Sequence, residues 1–494
     1  MEKLLSTDWI LLAKLTLPLL ILVVVALAVL LVSAFSKKSL HTALAVFCGL
    51  AIVSAFLFTW RFWTNGSPLN SLGTGMLVFD RMAYGFDLLF LAASLLTLFL
   101  STNYLPQEKI HSGEYYALLI FALSGAMLTA HGGDLIVIFL GIEIMSLSAY
   151  ILAGLKRGVI RSYEASLKYF ILGSFASGFL LYGIALAYGI SGSTSLASLQ
   201  KITIPSAEPL LVYLAVAFLL IGIGFKIAMA PFHLWSPDVY EGAPTSVTAF
   251  MASVIKAAGF AALIRIVIAL GHIPQIPWTP ILWTLSALTM TLGNLVALRQ
   301  TNIKRMLAYS SIAHAGYALV GITAALQKNA LTESTLGAVI FYLFAYSFMT
   351  LGAFAVVIAL GRRGEQAEEL SDLSGLAGSH PALAATMAIF MFSLTGFPPT
   401  IGFIGKFYVF AGAIEAGLPG LVVVGVINSA ISAYYYLGPI VKMYFQKDKV
   451  YELPPISYSL VTAIFICLFV VLYLGIFPSD IFLMARESVR ELIF

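Results

Sequence analysis

Charge is what this 494-residue chain has least of: aspartate, glutamate, lysine and arginine together make up only 10% of it. A soluble domain carries roughly 25%. That scarcity excludes a water-facing globular surface, and the 60% apolar content reads as a helical integral membrane protein whose solvent is the lipid bilayer. The net charge of +4 is spread thinly, with no basic run interleaved with aromatics, so no nucleic-acid partner is expected. Cysteine is nearly absent. Cys48 and Cys467 each lie inside an apolar run, and neither a disulfide framework nor an iron–sulfur ligand set can be built from two. The 7 histidines are scattered singly, with no facing pair to hold a haem. No P-loop, nucleophile elbow or metal cluster appears, and GIGF at 222–225 lacks the strand that a nucleotide fingerprint requires.

Long apolar runs are what the chain has instead. Stretches able to cross a ~30 Å hydrocarbon layer fall at 9–35, 40–60, 82–100, 115–131, 134–155, 166–190, 209–230, 247–271, 279–298, 306–326, 336–360, 382–415, 419–444 and 457–477. The fold class is therefore all-α and polytopic, with about fourteen spans and no loop long enough for a soluble domain. The run from Trp9 to Phe35 exceeds a signal-peptide core and reads as the first span. The 382–415 stretch is too long for one straight crossing and reads as a single broken helix around GFPPTIGF. Loops after odd-numbered spans hold fourteen Lys and Arg, from Lys37 to Lys449, against seven in the even loops and termini. This bias places the odd loops in the cytoplasm and both termini on the periplasmic side of the inner membrane.

Few charges remain within the spans: Lys14, Lys168, Lys226, Lys256, Arg265 and Lys406 among cations, Asp87 and Glu143 among carboxylates. A charge at the bilayer centre costs about 2.5–3.5 kcal/mol on insertion scales, so each needs a partner, water or a use. Lys14, Lys168 and Arg265 lie near helix ends and can snorkel to the headgroups, although Glu164, one turn before Lys168, offers it an ion pair. Glu143, Lys256 and Lys406 lie near mid-membrane at ~1.5 Å rise per residue. Glu143 is either a carboxylate tied up between helices or a proton carrier. A low-dielectric site disfavours the charged form of acid and amine alike, so both can load and unload near neutral pH. Around Lys256, Ser253 and Gly259 are small enough to let another helix approach closely.

Two spans carry helix-breakers beside a lysine. In KIAMAPFHLWSPDVYEGAP, Pro231 and Pro237 follow Lys226; in SLTGFPPTIGFIGKFYVF, Pro398 and Pro399 precede Lys406. Irregular backbone at membrane depth is tolerated only inside protein or along a hydrated cavity. These are spans seven and twelve, five apart, and a repeat of five helices must insert its second copy upside down, as in transporters. By this register span five matches span ten, which carries His314 at a depth similar to Glu143. His314 then reads either as a satisfied core residue or as a relay member. The residues themselves lead to a polytopic protein that moves a small cation, H⁺, through buried lysines and carboxylates.

PFHLWSPDVYEGAP, RQTNIKRMLAYSSIAHAGY and LTGFPPTIGFIGKFYVF resemble the antiporter-like membrane subunits of respiratory complex I, over roughly Asp134 to Tyr436. The form PDVYEGAP points to the subunit N branch rather than to subunits M and L or multisubunit Na⁺/H⁺ antiporters. The resemblance implies two inverted five-helix repeats: residues 1–112 form helices one to three, 113–272 the first repeat, 273–445 the second, and 446–494 the last helix and a tail. It implies that Glu143 pairs with Lys226 and tunes it, that Lys256 is the central relay lysine, and that Lys406 serves an exit half-channel. Lys168 with Glu164 would be an auxiliary pair, and His314 a weaker match to the relay. FMN, iron–sulfur clusters and the quinone site are expected on other subunits, and no cofactor or metal on this chain. The partners implied are subunit M, small membrane subunits and the bilayer. A cation/proton antiporter outside complex I and a static membrane scaffold are the competing readings.

Overall fold

The computed structural model describes residues 9–36, 40–65, 75–201, 209–327, 333–361, 368–446 and 456–493. Uninterrupted apolar sequence becomes helix because, away from water, backbone groups must be satisfied within the segment. After a short lead-in helix at Trp9–Leu15, the chain forms α1 (Leu17–Phe35), α2 (His41–Asn65), α3 (Arg81–Gln107), α4 (Ser112–Ala130), α5 (Leu135–Ala153), α6 (Ile160–Ser191) and α7 (Pro209–Lys226). There follow α8 (Trp235–Gly242), α9 (Thr245–Phe250), a π-helical turn at Met251–Ile255, α10 (Lys256–Leu270), α11 (Trp278–Ala297), α12 (Ile303–Leu326) and α13 (Glu333–Leu360). The last are α14 (Pro381–Thr395), α15 (Ile401–Glu415), α16 (Pro419–Phe445), α17 (Tyr458–Ile476) and α18 (Ser479–Ile493).

Helix occupies each of the apolar stretches expected from the sequence. Among the described residues, 11 helices are long and apolar enough to cross a membrane. The helices that end at the two breaks, at Lys226 and Thr395, are shorter. Continuous burial marks the centre: α10 and α13 are buried on all sides, whereas α1 and α6 expose one flank.

The tail after the last span is helical, and α18 packs on α13 and α3. Two expectations change here. Span eight is not one regular helix, because the π-turn at Met251–Ile255 interrupts it immediately before Lys256. Lys304, counted among the loop cations, is buried within α12, donating to the carbonyls of Glu241 and Ala243 at 2.7 Å and pairing with Glu368 at 3.0 Å. From that charge tally Lys3, Lys37, Lys38, Lys328, Arg362, Arg363, Lys447 and Lys449 lie outside the described residues.

The two halves of the chain repeat their contacts. Asp134 caps α5 through the Ile136 N–H, and Asn302 caps α12 through the Arg305 N–H. Each cap also bridges to a later loop: Leu135 N–H donates to Thr194 and Leu196 N–H to Gly133, while Ile303 N–H donates to Glu368 and Leu370 N–H to Thr301. Gly125 on α4 meets α5 so closely that a Cβ there would lie 2.5 Å from the Met145 nitrogen. Gly293 on α11 meets α12 in the same way, 2.6 Å from the Ala313 nitrogen. The caps and glycines share one sequence offset, and α5 and α12 start at opposite ends of the bundle. By that offset Ser146 corresponds to His314, and Glu143 to Ser311, so His314 lies one helical turn from the Glu143 position.

Candidate functional site

Lys226 is the last residue of α7 and is buried. The chain leaves the helix there because Ala228 adopts a left-handed conformation (φ 57°), which costs an L-residue roughly 1–2 kcal/mol. The groups freed by the break are met from within the protein: the Trp235 indole donates to the Phe225 carbonyl at 2.9 Å, and the Ala230 N–H donates to Thr289 Oγ1 at 3.0 Å. Trp235 is held flat against Tyr169, their centroids 4.4 Å apart. Lys226 Nζ donates to Ser146 Oγ at 2.7 Å and to the Tyr150 hydroxyl at 3.1 Å, both on α5.

Glu143 lies one turn before Ser146 and accepts from Ser177 on α6. No ion pair joins it to Lys226 among the described residues; Glu143 is held by Ser177, and Lys226 by Ser146 and Tyr150. Glu143 is also only half-buried, at the edge of a lateral strip with Leu140, Ile144 and Leu147.

Lys256 begins α10, where the π-turn hands over to regular helix. Its Nζ donates to the Ser311 carbonyl at 2.5 Å, contacts Ser311 Oγ, and sits 5.8 Å from the Tyr346 ring centroid. One turn later, Gly259 gives room for α7, since a Cβ there would lie 2.8 Å from Ile227 and 3.4 Å from Lys226 Cβ. His314, one turn beyond Ser311, is buried between two hydroxyls: Tyr342 at 2.6 Å from Nδ1 and Tyr436 at 3.1 Å from Nε2. Its ring also packs on Tyr346 at 4.9 Å and Tyr317 at 5.7 Å.

Lys406 lies one turn into α15 and reaches back across the second break. Its Nζ donates to the carbonyls of Leu394 and Thr395 at 3.3 and 2.8 Å, and to Ser429 Oγ at 2.9 Å, while lying 4.6 Å from the Tyr317 ring centroid. These are the orphan C-terminal carbonyls of α14. Gly396 turns the chain at φ 91°, and a Cβ there would lie 3.0 Å from Lys406 Cδ. Lys256, Ser311, Tyr346, His314, Tyr317 and Lys406 thus form one buried line, and among the described residues no carboxylate pairs with Lys226, Lys256 or Lys406.

Lys168 stands apart, at the end of the bundle where α6 and α12 begin. It pairs with Glu164 at 2.6 Å and with Asp238 at 2.8 Å. Arg305 joins Asp238 at 2.7 Å and Glu241 at 2.9 Å, and Arg161 approaches Glu241 at 3.7 Å. Burial works against ionising Asp238, but the hydrogen bonds from Lys168 and Arg305 hold its carboxyl below the ordinary value. Sequence reasoning missed Asp238, Glu241 and Arg305; the acidic residues of SPDVYEG and the cations of RQTNIKR were the available signal. Arg265, expected to snorkel, instead lies buried in a two-pronged pair with Asp80 at 2.8 and 2.9 Å and donates to the Ala130 carbonyl. A partner supplied by a helix cap kept it inside.

The family described as NADH:quinone oxidoreductase/Mrp antiporter, TM, matches residues 132–432. NADH-quinone oxidoreductase subunit N of Trichlorobacter lovleyi is 44% identical over 476 residues, 96% of each chain. The chain belongs to the subunit N family. Among solved structures, a chain of respiratory complex I from Thermus thermophilus with bound aureothin superposes with a TM-score of 0.78 at 35% identity, over 94% of this chain and 98% of that one. A chain of the Mrp complex from a Dietzia species shares the fold, with a TM-score of 0.83 at 21% identity over 97% of each.

Proposed function

We propose that this subunit N homologue carries protons across the membrane within NADH–quinone oxidoreductase, driven by electron transfer elsewhere in the complex. The observation that carries the proposal is the buried line from Lys256 through His314 to Lys406. Ammonium groups held by hydroxyls and carbonyls rather than by counter-ions can exchange protons without breaking an ion pair. Lys226, held by Ser146 beside Glu143, is the entry member. Lys256 is the central one, Lys406 the exit member, and His314 with its tyrosines the bridge. Lys168 with Glu164 feeds the end that carries Asp238, which is cytoplasmic, so that both termini are periplasmic in the inner membrane. Residues 113–272 and 273–445 act as inverted repeats, and their shared offset of caps and glycines supports that division. FMN, the iron–sulfur clusters and the quinone site reside on other subunits.

Glu143 also argues for a neighbour. A mid-span carboxylate facing lipid would cost about 2.5–3.5 kcal/mol, so its flank of α5 and α6 is covered by another membrane subunit. A small membrane subunit there, and subunit M on another face, complete the expected set. The test is native electrophoresis of mildly solubilised membranes. Co-migration with NADH dehydrogenase activity supports the assignment. Migration apart from it, with Na⁺/H⁺ exchange in vesicles, would favour an antiporter working outside complex I.

A further inference from the structure

A second titratable cluster lies outside this line, at the opposite end of the bundle from Asp238. His131 follows α4 and Asp87 lies on α3; both are buried, and His131 Nε2 is 2.8 Å from Asp87 Oδ2. His131 Nδ1 is 2.9 Å from the Val78 carbonyl, which can only accept, so Nδ1 carries hydrogen and Nε2 is the nitrogen that gains or loses a proton toward Asp87. The second oxygen, Asp87 Oδ1, is buried without a hydrogen-bond partner, and so is the Tyr84 hydroxyl. Both residues line a cavity of about 20 Å³, bordered also by Thr16, Leu19, Leu128 and His131. That is room for one water, given two or more polar partners.

The charged and titratable groups facing Asp87 are His131, Asp80, Arg265 and Tyr84. Arg265 is matched by Asp80, so the net charge of the cluster is decided by the Asp87–His131 pair. The N-terminal segment contributes Leu15, Thr16, Pro18 and Leu19 to the cavity wall.

We propose that Asp87 and His131 form a separate proton-holding site that exchanges with this end of the bundle through a water bound between Asp87 Oδ1 and the Tyr84 hydroxyl. In loading, the water takes a proton from the aqueous phase at this end as it gives one to Asp87 Oδ1, while the proton already shared between Oδ2 and Nε2 settles on His131, and the cluster gains one positive charge; release is the reverse. The site is independent of the lysine line and of what drives it.

Infrared pH-difference spectra of the purified intact complex, with aspartate and histidine isotopically labelled, test the site without measuring pumping. The wild type is expected to show coupled carboxyl and imidazole bands that disappear in Asp87→Asn and in His131→Gln but persist in Lys256→Met. Bands that survive both substitutions would overturn the proposal. Should Asp87→Asn fail to assemble, His131→Gln decides, since its amide still offers Asp87 a donor. Thr16→Leu, which fills the cavity, is expected to slow hydrogen–deuterium exchange of these bands; unchanged exchange would overturn the water route.

Discussion

At the scale of single residues, the buried lysines differ in what holds them, and substitutions should separate their roles. Lys226 rests on two hydroxyls that can turn to each other when it is removed, so Lys226→Ala should preserve assembly while lowering protons moved per NADH oxidised in inverted vesicles. Gly402 allows no such latitude. A Cβ there would lie 1.8 Å from the Ser393 carbonyl, so Gly402→Ala should prevent accumulation of the folded subunit, read by immunoblot of the membranes. His131 carries a pH signature. Its Nε2 faces Asp87 Oδ2 at 2.8 Å, a contact that holds only while a proton lies between the two atoms, so its contribution to stability is lost once rising pH removes that proton. Thermal melting should therefore show an alkaline decline in the wild type that is reduced in His131→Gln.

At the scale of elements, the two breaks and the π-turn are the features that set Lys226, Lys256 and Lys406 in place. The prolines made both breaks legible in the sequence, and Lys226 and Lys406 were legible beside them as charges in apolar surroundings. The π-turn was not, because MASVI has the composition of any buried helix and the extra residue per turn is imposed by packing rather than by local propensity. Deleting Ser253 should restore regular helix and rotate Lys256 by about 100° relative to α9, away from Ser311, abolishing pumping while α10 still inserts. Trp235→Phe removes the donor to the Phe225 carbonyl and should destabilise the first break by about 1–3 kcal/mol, measured as a lower melting temperature.

At the scale of the whole molecule, the sequence showed the apolar spans but not the long-range ties among them. Asp238, Glu241 and Arg305 join α8 to α12, and Arg265 joins α10 to the start of α3. Each partner lies far away in the chain, so no local pattern announces the pair, and Arg265 near a helix end is indistinguishable from a snorkelling cation until Asp80 is located. The Glu143–Lys226 pairing implied by resemblance is replaced in this conformation by hydroxyl contacts, because Ser146 and Tyr150 stand closer to the amine. The central claim is that the buried line carries protons coupled to remote electron transfer. Its most direct test is the ratio of protons translocated to NADH oxidised in vesicles containing Lys256→Ala. The account predicts an assembled complex that still oxidises NADH with a clearly lowered ratio; an unchanged ratio in assembled complex would contradict it.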